Sequence, residues 1–379
     1  MGNVLNDLAA DIYKAADTVG RELTGGTSSV LINADDSERV ALNDTVRSHF
    51  TRQADANDVS PSMTIPEGDN QTVDSKTLTI DKARGVQIPW TGEEMRSVNN
   101  GAGFETIYGD QIRQAMRTLA NEIEQDIMTE AYRNASRAVG TAGTTPFSSN
   151  FDLVAEARQI LVDNGMPTDG MATIVMNTLA GTNLRNLAQL QRANEAGGDD
   201  LLRQGALLDL QGLMLKESAG VQSHTKGDGD SYVTNGNFSK GDTEIDVDGG
   251  TGDIDVGDVI TFEDDDNKYV VESALSGGTV TIAEPGLQKD LSDGKTVTVG
   301  DSYTGNVAFH RNAIELAMRA PAVPEGGDTA DDAMTVQDPL SGLVFEIRTY
   351  KGYRKAMFEV AASWGNKCWK PEFVASVLG

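Results

Sequence analysis

Gly294-Lys295-Thr296 ends the way a phosphate-binding loop ends, with a lysine and a hydroxyl residue behind a glycine. The first glycine of such a loop would stand at position 289, which is Lys289, and the tripeptide lies between two predicted strands instead of opening a helix. Both departures exclude a nucleotide loop. Asp264-Asp265-Asp266-Asn267 offers the oxygen donors of a calcium loop but lacks the glycine at the sixth position and the glutamate at the twelfth, so it is expected to be a solvated acidic turn. His49, His224 and His310 are scattered without short ligand spacing, and Cys368 is the single cysteine, which leaves no zinc set and no intrachain disulfide. Cys368 sits between Lys367 and Trp369 and reads as a packing residue. No Gly-x-Ser-x-Gly elbow occurs, and no pair of carboxylates is singled out by its spacing. The expectation is a chain with no catalytic, cofactor-binding or metal site.

The 379 residues carry 58 acidic against 31 basic side chains, a net charge of −27. Such a surface disfavours binding through phosphate contacts. Arg113, Arg117, Arg133 and Arg137 share one predicted helix, but glutamates and aspartates are interspersed with them, so a solvated ion-pair face is expected there. Asp7, Asp11 and Asp17 near the N-terminus replace the cationic start of a secretory signal, and no apolar run reaches the ~20 residues of a membrane span, so a soluble protein is expected.

The elements that remain are α+β in class. Val4, Leu5, Leu8, Ile12, Ala16, Val19 and Leu23 recur at three and four residues and predict an amphipathic first helix ending near Gly25-Gly26. Gln71 to Ile80 alternates polar and apolar residues, turns through Asp81 to Gly85 and returns as Val86 to Trp90, which predicts a long hairpin ribbon with Pro89 at an edge or an end. Phe104 to Val139 predicts the longest helix, apolar on one flank and charged on the other. Asp152 is expected to cap a helix over Leu153 to Val162 that stops at Asn164-Gly165, followed by a buried strand over Met171 to Met176. Helices are expected over Thr182 to Asn194 and Leu201 to Leu210, and an extended piece over Gly212 to Glu217.

From Gly227 to Ser302 the pattern changes. Glu244 to Val247, Val256 to Phe262, Tyr269 to Val271, Thr279 to Ile282 and Thr296 to Val299 are short β-branched runs divided by Gly-Asp, Gly-Gly and Asp-Gly turns, as in a small antiparallel barrel or sandwich. An inserted module needs neighbouring ends at a surface of its host, so Lys226 and Tyr303 are the expected boundaries. After it, Asn306 to Ala317 resumes a mixed pattern, Pro321 to Asp332 is a Pro-, Gly- and Asp-rich run, and Leu343 to Tyr350 with Lys355 to Ala362 predicts a hairpin around Lys351-Gly352-Tyr353. An arm, a ribbon and a long helix that cannot cover themselves are parts suited to assembly.

This order of elements resembles the major capsid (coat) proteins of tailed phages, and more narrowly the coat family of short-tailed Salmonella-type phages. The likeness is carried by Asp255 to Phe262, Gly305 to Ala317 and Met357 to Gly365, with Gln71 to Trp90 and the following helix matching in type and order. It implies the Hong Kong ninety-seven capsid fold: an N-terminal arm (1–32), an extended hairpin loop region (33–102), a peripheral domain with a long spine helix (103–150), an axial (apical) domain (151–226), an inserted antiparallel β-barrel (227–302), and a return to the axial and peripheral domains with a C-terminal β-hairpin (303–379). It also implies a non-enzymatic subunit that self-assembles as hexamers and pentamers into an icosahedral shell around double-stranded DNA, through a procapsid that matures by expansion. The implied partners are a scaffolding protein, a portal and a candidate decoration protein, with assembly in the host cytoplasm and residence in the virion. A bacterial encapsulin-like compartment shell is the alternative of the same class, and a soluble acidic β-module binding protein the alternative of another.

Overall fold

A computed structural model of the chain describes residues 25–51, 59, 61, 63, 73–99, 104–187, 190, 209–338 and 342–379. The helix expected over Val4 to Leu23 and residues 201–208 of the one expected over Leu201 to Leu210 lie outside the described residues, and Leu210 itself is not helical but bridges Leu213. A 3-10 turn at Thr27–Ser29 leads into β1 (Leu31–Val40), β2 (Thr45–Thr51), β3 (Val73–Thr79) and β4 (Lys82–Thr91), then helices α1 (Gly92–Asn99) and α2 (Phe104–Arg133). Next come β5 (Arg137–Gly140), α3 (Asp152–Asp163), β6 (Ala172–Met176), α4 (Thr178–Asn186), β7 (Met214–Glu217) and β8 (Ser223–His224). The stretch 227–302 holds β9 (Val233–Thr234), β10 (Glu244–Asp248), β11 (Val259–Phe262), β12 (Lys268–Ser276), β13 (Thr279–Ile282) and β14 (Val297–Val299). The chain ends with β15 (Tyr303–His310), β16 (Ile314–Pro321), β17 (Ala330–Gln337), β18 (Val344–Gly352), β19 (Lys355–Cys368) and β20 (Val374–Leu378).

Helix α2 organises the body. Its 30 residues span about 45 Å, and Ile112, Met116, Leu119, Ile123, Ile127 and Ala131 recur at helical spacing as a fully buried stripe. That stripe packs with β19 residues Phe358, Val360, Ala362 and Trp364 and with Val307, Phe309 and Val374 of β15 and β20. Two sheets therefore share one helix. The helix stops short of the expected Val139, because the Ser136 amide and hydroxyl both donate to Val374 O, at 2.9 and 2.8 Å. The next residues pair in parallel with β20, from Arg137↔Ala375 to Gly140↔Leu378. Apolar spacing does not distinguish a last helical turn from a buried strand, and here the sheet wins.

The first sheet runs β1-β16-β19-β18-β17, with β4 on the other edge of β19. Ser363 and Trp364 pair with Arg319 and Met318 on one side and with Ala83 and Lys82 on the other. The ribbon expected from Gln71 to Trp90 is not a hairpin. β3 pairs with β2 over seven positions, whereas β4 forms a ten-position ladder with β19 that begins at Lys82, inside the expected turn. Alternation marks both strands, but it carries no information about which partner completes each one. Pro89 does lie on an edge strand, as its missing N–H requires.

The second sheet runs β7-β6-β15-β20-β5-β12-β13-β10-β9, with β8 on β15, β11 on β12 and β14 on β11. β6 and β20 are buried at every residue, which is why Ala172–Met176 and Val374–Leu378 read as nearly continuous apolar runs, broken only by the small hydroxyl residues Thr173 and Ser376. Helix α3 covers this region through Val154, Ala157, Ile160 and Leu161. Asp152 is its first residue, not its cap, and Phe151 holds the cap position without a side-chain hydrogen bond. The helix ends at left-handed Gly165, φ 89°, with Met166 N bonded to Leu161 O. Helix α4 starts four residues ahead of the expected Thr182, because Asn177 accepts the Ala180 amide at 2.8 Å and caps it.

All five β runs expected between Gly227 and Ser302 form. They surround a core of their own, in which Ile245, Val247, Ile260, Phe262, Tyr269, Val271, Val280 and Ile282 are buried. Thr234 N donates to Lys295 O and Val297 N to Tyr232 O, both at 2.9 Å, so the chain of pairings that starts at β9 comes back to it through β14. The stretch is also stitched into the body sheet, since β12 pairs with β5 at Lys268↔Ala138 and Tyr269↔Arg137. Val259 and Val270 belong to the core around α2.

Candidate assembly elements

Ribbon β2–β3 stands on the body by its base. Leu78 and Ile80 are buried with Val40 and Ala317, and Ile80 exchanges backbone bonds with Asn43 and Asp44 at 2.8 Å each. Gly365 of β19 faces this base, and a Cβ there would fall on the Thr79 carbonyl oxygen. The glycine permits a backbone approach that no other residue allows. Lys76 donates to Trp369 O at 3.1 Å and lies over its ring. Toward its far end the ribbon has no third strand among the described residues, and a two-stranded ribbon is marginal alone in water.

The charged flank of α2 is not merely solvated. Glu124 is 1 % exposed, and its carboxylate accepts from the Gly26 and Thr27 amides and the Thr27 hydroxyl, at 2.6 Å each, and from the Ser218 hydroxyl at 2.5 Å. One carboxylate thereby joins the start of the described chain and the loop after β7 to the long helix. Lys216 donates to the Ser28 and Ser29 hydroxyls at 2.9 and 3.0 Å beside it, and burial pushes the Lys216 amine below its ordinary range. Further along the same flank, Asp126 holds Lys82 at 2.5 Å and the Trp364 indole at 2.8 Å, and Glu130 accepts the Cys368 amide at 2.9 Å. Asp110 pairs with Arg113 at 2.8 Å within the helix, as expected of a solvated ion-pair face, whereas Glu122 pairs with Arg84 of β4 at 3.0 Å.

Arg137 belongs to β5, not to α2, and is 7 % exposed. It reaches Asn267 Oδ1 at 3.1 Å and Asn164 Oδ1 at 3.2 Å, and burial pushes its guanidinium below the usual range. Together with Lys268, which donates to Gly140 O, it fastens β12 to β5.

The residues singled out for chemistry are dispersed. Lys295 of the Gly-Lys-Thr tripeptide is bonded to Asp264, which holds the Asp264 carboxyl below its ordinary range. Asp265 accepts the Asn267 amide at 3.0 Å and the Tyr269 hydroxyl at 2.6 Å. The acidic turn is thus spent on internal bonds, and among the described residues no group of His, Cys, Asp and Glu has metal-holding geometry. His224 pairs with Asp258 at 2.8 Å and His310 with Asp169 at 3.0 Å, far apart in the sheet. His49 lies in β2 opposite Ser75. Cys368 is buried, and burial pushes its thiol well above the reactive range. Sequence spacing gave no sign of Glu124 or Asp258, whose partners are distant along the chain. No described helix is long and apolar enough to cross a membrane.

No family model matches the sequence, and no curated protein matches it either. Solved structures do. The capsid structure of the cyanophage P-SCSP1u is similar over 93 % of this chain and 86 % of that one, at a TM-score of 0.50 and 10 % identity. A structure from Mycobacterium phage Che8 is similar over 88 % of this chain and 84 % of that one, at 0.46 and 15 % identity. A virus-like particle from Pyrococcus furiosus is similar over 97 % and 96 %, at 0.41 and 7 % identity. At such identities the likeness speaks for backbone course alone, and on the cyanophage comparison the chain has a phage capsid fold.

Proposed function

We propose that this chain is a shell-forming subunit, the major capsid protein of a tailed phage. The observation that carries the proposal is the likeness to the cyanophage capsid along 93 % of the chain. In this reading residues 1–32 are an arm, 33–102 carry the extended loop, 103–150 the peripheral domain and 151–226 the axial domain. Residues 227–302 are an inserted β-barrel, and 303–379 complete both domains. Ribbon β2–β3 lies across a neighbouring copy, which covers the strand edges that its own body leaves open. Hexamers and pentamers close an icosahedral shell around double-stranded DNA, with a scaffolding protein and a portal as partners and a procapsid that expands. The net charge of −27 fits a wall that must not grip the genome it confines. The narrower kinship with the Salmonella-type coat proteins rests on the insert at 227–302.

Sedimentation and negative-stain imaging of the purified chain, alone and with a scaffolding partner, test the proposal. Closed particles of uniform size are expected. A product that stays monomeric at every salt and protein concentration overturns it. Particles isolated from the native cell that hold a cargo enzyme in place of DNA would shift the reading to a compartment shell.

A further inference from the structure

The stretch 227–302 leaves the body at Lys226 and returns at Tyr303, and both connections converge on one short turn, Asp255 to Asp258. Asp258 is 1 % exposed, and its carboxylate accepts the Gly227 amide at 3.1 Å and the Asp255 amide at 2.8 Å. His224 Nε2 lies 2.8 Å from the same carboxylate. The next carbonyl back, that of Gly257, accepts the Tyr303 hydroxyl at 2.7 Å. His224 and Tyr303 are paired neighbours on β8 and β15 of the body sheet. Their rings meet each other at 5.3 Å, and that of Tyr132, at the C-terminal end of α2, lies 5.7 Å from His224 and 6.2 Å from Tyr303. Backbone fills the remaining space: a Cβ on Gly227 would fall on the Asp253 carbonyl, and left-handed Gly257, φ 93°, sits against the Tyr132 ring. Meanwhile the buried core of the stretch excludes Tyr132, His224 and Tyr303.

We infer that this turn is an orientation lock, which sets the pose of the module on the body and couples it to the end of α2 while leaving the module's own fold independent. Asp258 ties the outgoing connection to the body, Tyr303 ties the returning one to the same turn, and Tyr132 makes the helix end the third wall. Loss of one tie loosens the two connections where they meet the turn, while the β12–β5 ladder stays paired and the module core stays closed. For a shell subunit, and resting on that proposal, the pose of this module is what a neighbouring copy would meet.

The test is hydrogen exchange on the unassembled full chain, comparing the parent with Asp258→Asn, His224→Gln and Tyr303→Phe. Amides of 225–228 and 255–258 are expected to exchange on the order of tenfold faster in Asp258→Asn and His224→Gln, the weight of one hydrogen bond to a charged group, and about fivefold faster in Tyr303→Phe, which removes a neutral bond to the Gly257 carbonyl. Module-core amides such as Val247 and Ile282, and those of β15 and β20, stay within about twofold of the parent, as separate cores require. Unchanged exchange in all three variants overturns the lock. Acceleration spread evenly over 227–302 also overturns it, since the turn would then hold the module's fold and not its pose. If Asp258→Asn fails to fold, Tyr303→Phe, which removes a single hydroxyl, decides. Because no shell is needed, a parent chain that never assembles would count against the capsid proposal and leave this one standing.

Discussion

The module at 227–302 and the ribbon β2–β3 are both β excursions from the same body, and they solve the problem of strand edges in opposite ways. The module has 18 acidic and four basic residues, a net charge of −14, which is about half of the chain's −27 in a fifth of its length. It tolerates that repulsion because its strands pair back to their start around a buried core. The ribbon has two strands, a short apolar base at Leu78 and Ile80, and open edges beyond it. One element closes its pairings on itself, and the other, among the described residues, leaves its outer strand edges unpaired. What distinguishes them is the number of strands that share a core, not their β propensity.

Separating the two elements from the body should give the largest effect. A fragment of residues 227–302 is expected to show a cooperative thermal transition by circular dichroism, whereas a peptide of residues 41–80 should show none. The converse deletion, joining Lys226 to Tyr303, is expected to yield a body that aggregates on size exclusion. It strips the cover from the β5 edge, removes Val259 and Val270 from the body core and strands Arg137. A soluble, cooperatively melting deletion product would mean that the module is a detachable guest, as the sequence pattern alone implies.

Next in size is the Glu124 junction, which belongs to neither excursion and holds the body that both stand on. Glu124→Ala leaves the Gly26 and Thr27 amides buried without an acceptor, so urea unfolding should report a loss of about 3 kcal/mol. Glu122→Ala, two residues away on an exposed ion pair, should cost less than about 1 kcal/mol. Equal effects would remove the distinction between the buried and solvated parts of that flank.

Those two glutamates also mark where sequence reasoning ends. Both occupy the charged flank of α2, and no local pattern separates the one that is 1 % exposed from its neighbour, because the partners of Glu124 stand nearly a hundred residues away in either direction. The module strands were legible because alternation and glycine turns are local signals, and the same locality made the stripe of α2 readable from Ile112 to Ala131. Partner choice was not legible. β3 and β4 look like two arms of one hairpin until β2 and β19 compete for them, and Ala138-Val139 looks like helix until β20, from the last residues of the chain, offers a ladder. Asp258 is hidden for a different reason, since it is one of many aspartates in an acidic stretch and only burial sets it apart.

A smaller effect sharpens the account of the ribbon. Gly365→Ala forces a methyl against the Thr79 carbonyl, a backbone atom that cannot turn aside, and should cost about 2 kcal/mol. Exchange of the Asn43 and Ile80 amides, which bond across the ribbon base, should accelerate while module amides do not change. If both regions respond together, the ribbon is not an independent element.

The least effect expected is one of pH, and it concerns the place where the module meets the body. Glu272 of β12 is half-buried near Glu284, Lys367 and Glu130, and Glu372 near Lys370, Glu284 and Lys76; burial pushes both carboxyls above the ordinary value of 4.5. A carboxyl raised in this way is harder to ionise folded than unfolded, so it lowers stability above its folded pKa and ceases to do so once the pH falls below 4.5. Asp169, Asp264, Asp301 and Asp328 are exposed and shifted the other way by their hydrogen bonds and cations, so what little they add disappears only as the pH drops below 3.8. Stability should therefore rise gently from neutrality toward pH 4.5 and then fall, the rise amounting to less than about 1 kcal/mol after solvent screening. The double variant Glu272→Gln, Glu372→Gln should flatten the rise in urea titrations while leaving the fall in place. Asp81, just ahead of β4, is also raised by burial and should leave a small remainder at lower pH; a rise that both substitutions leave undiminished would move its origin away from the junction of module and body.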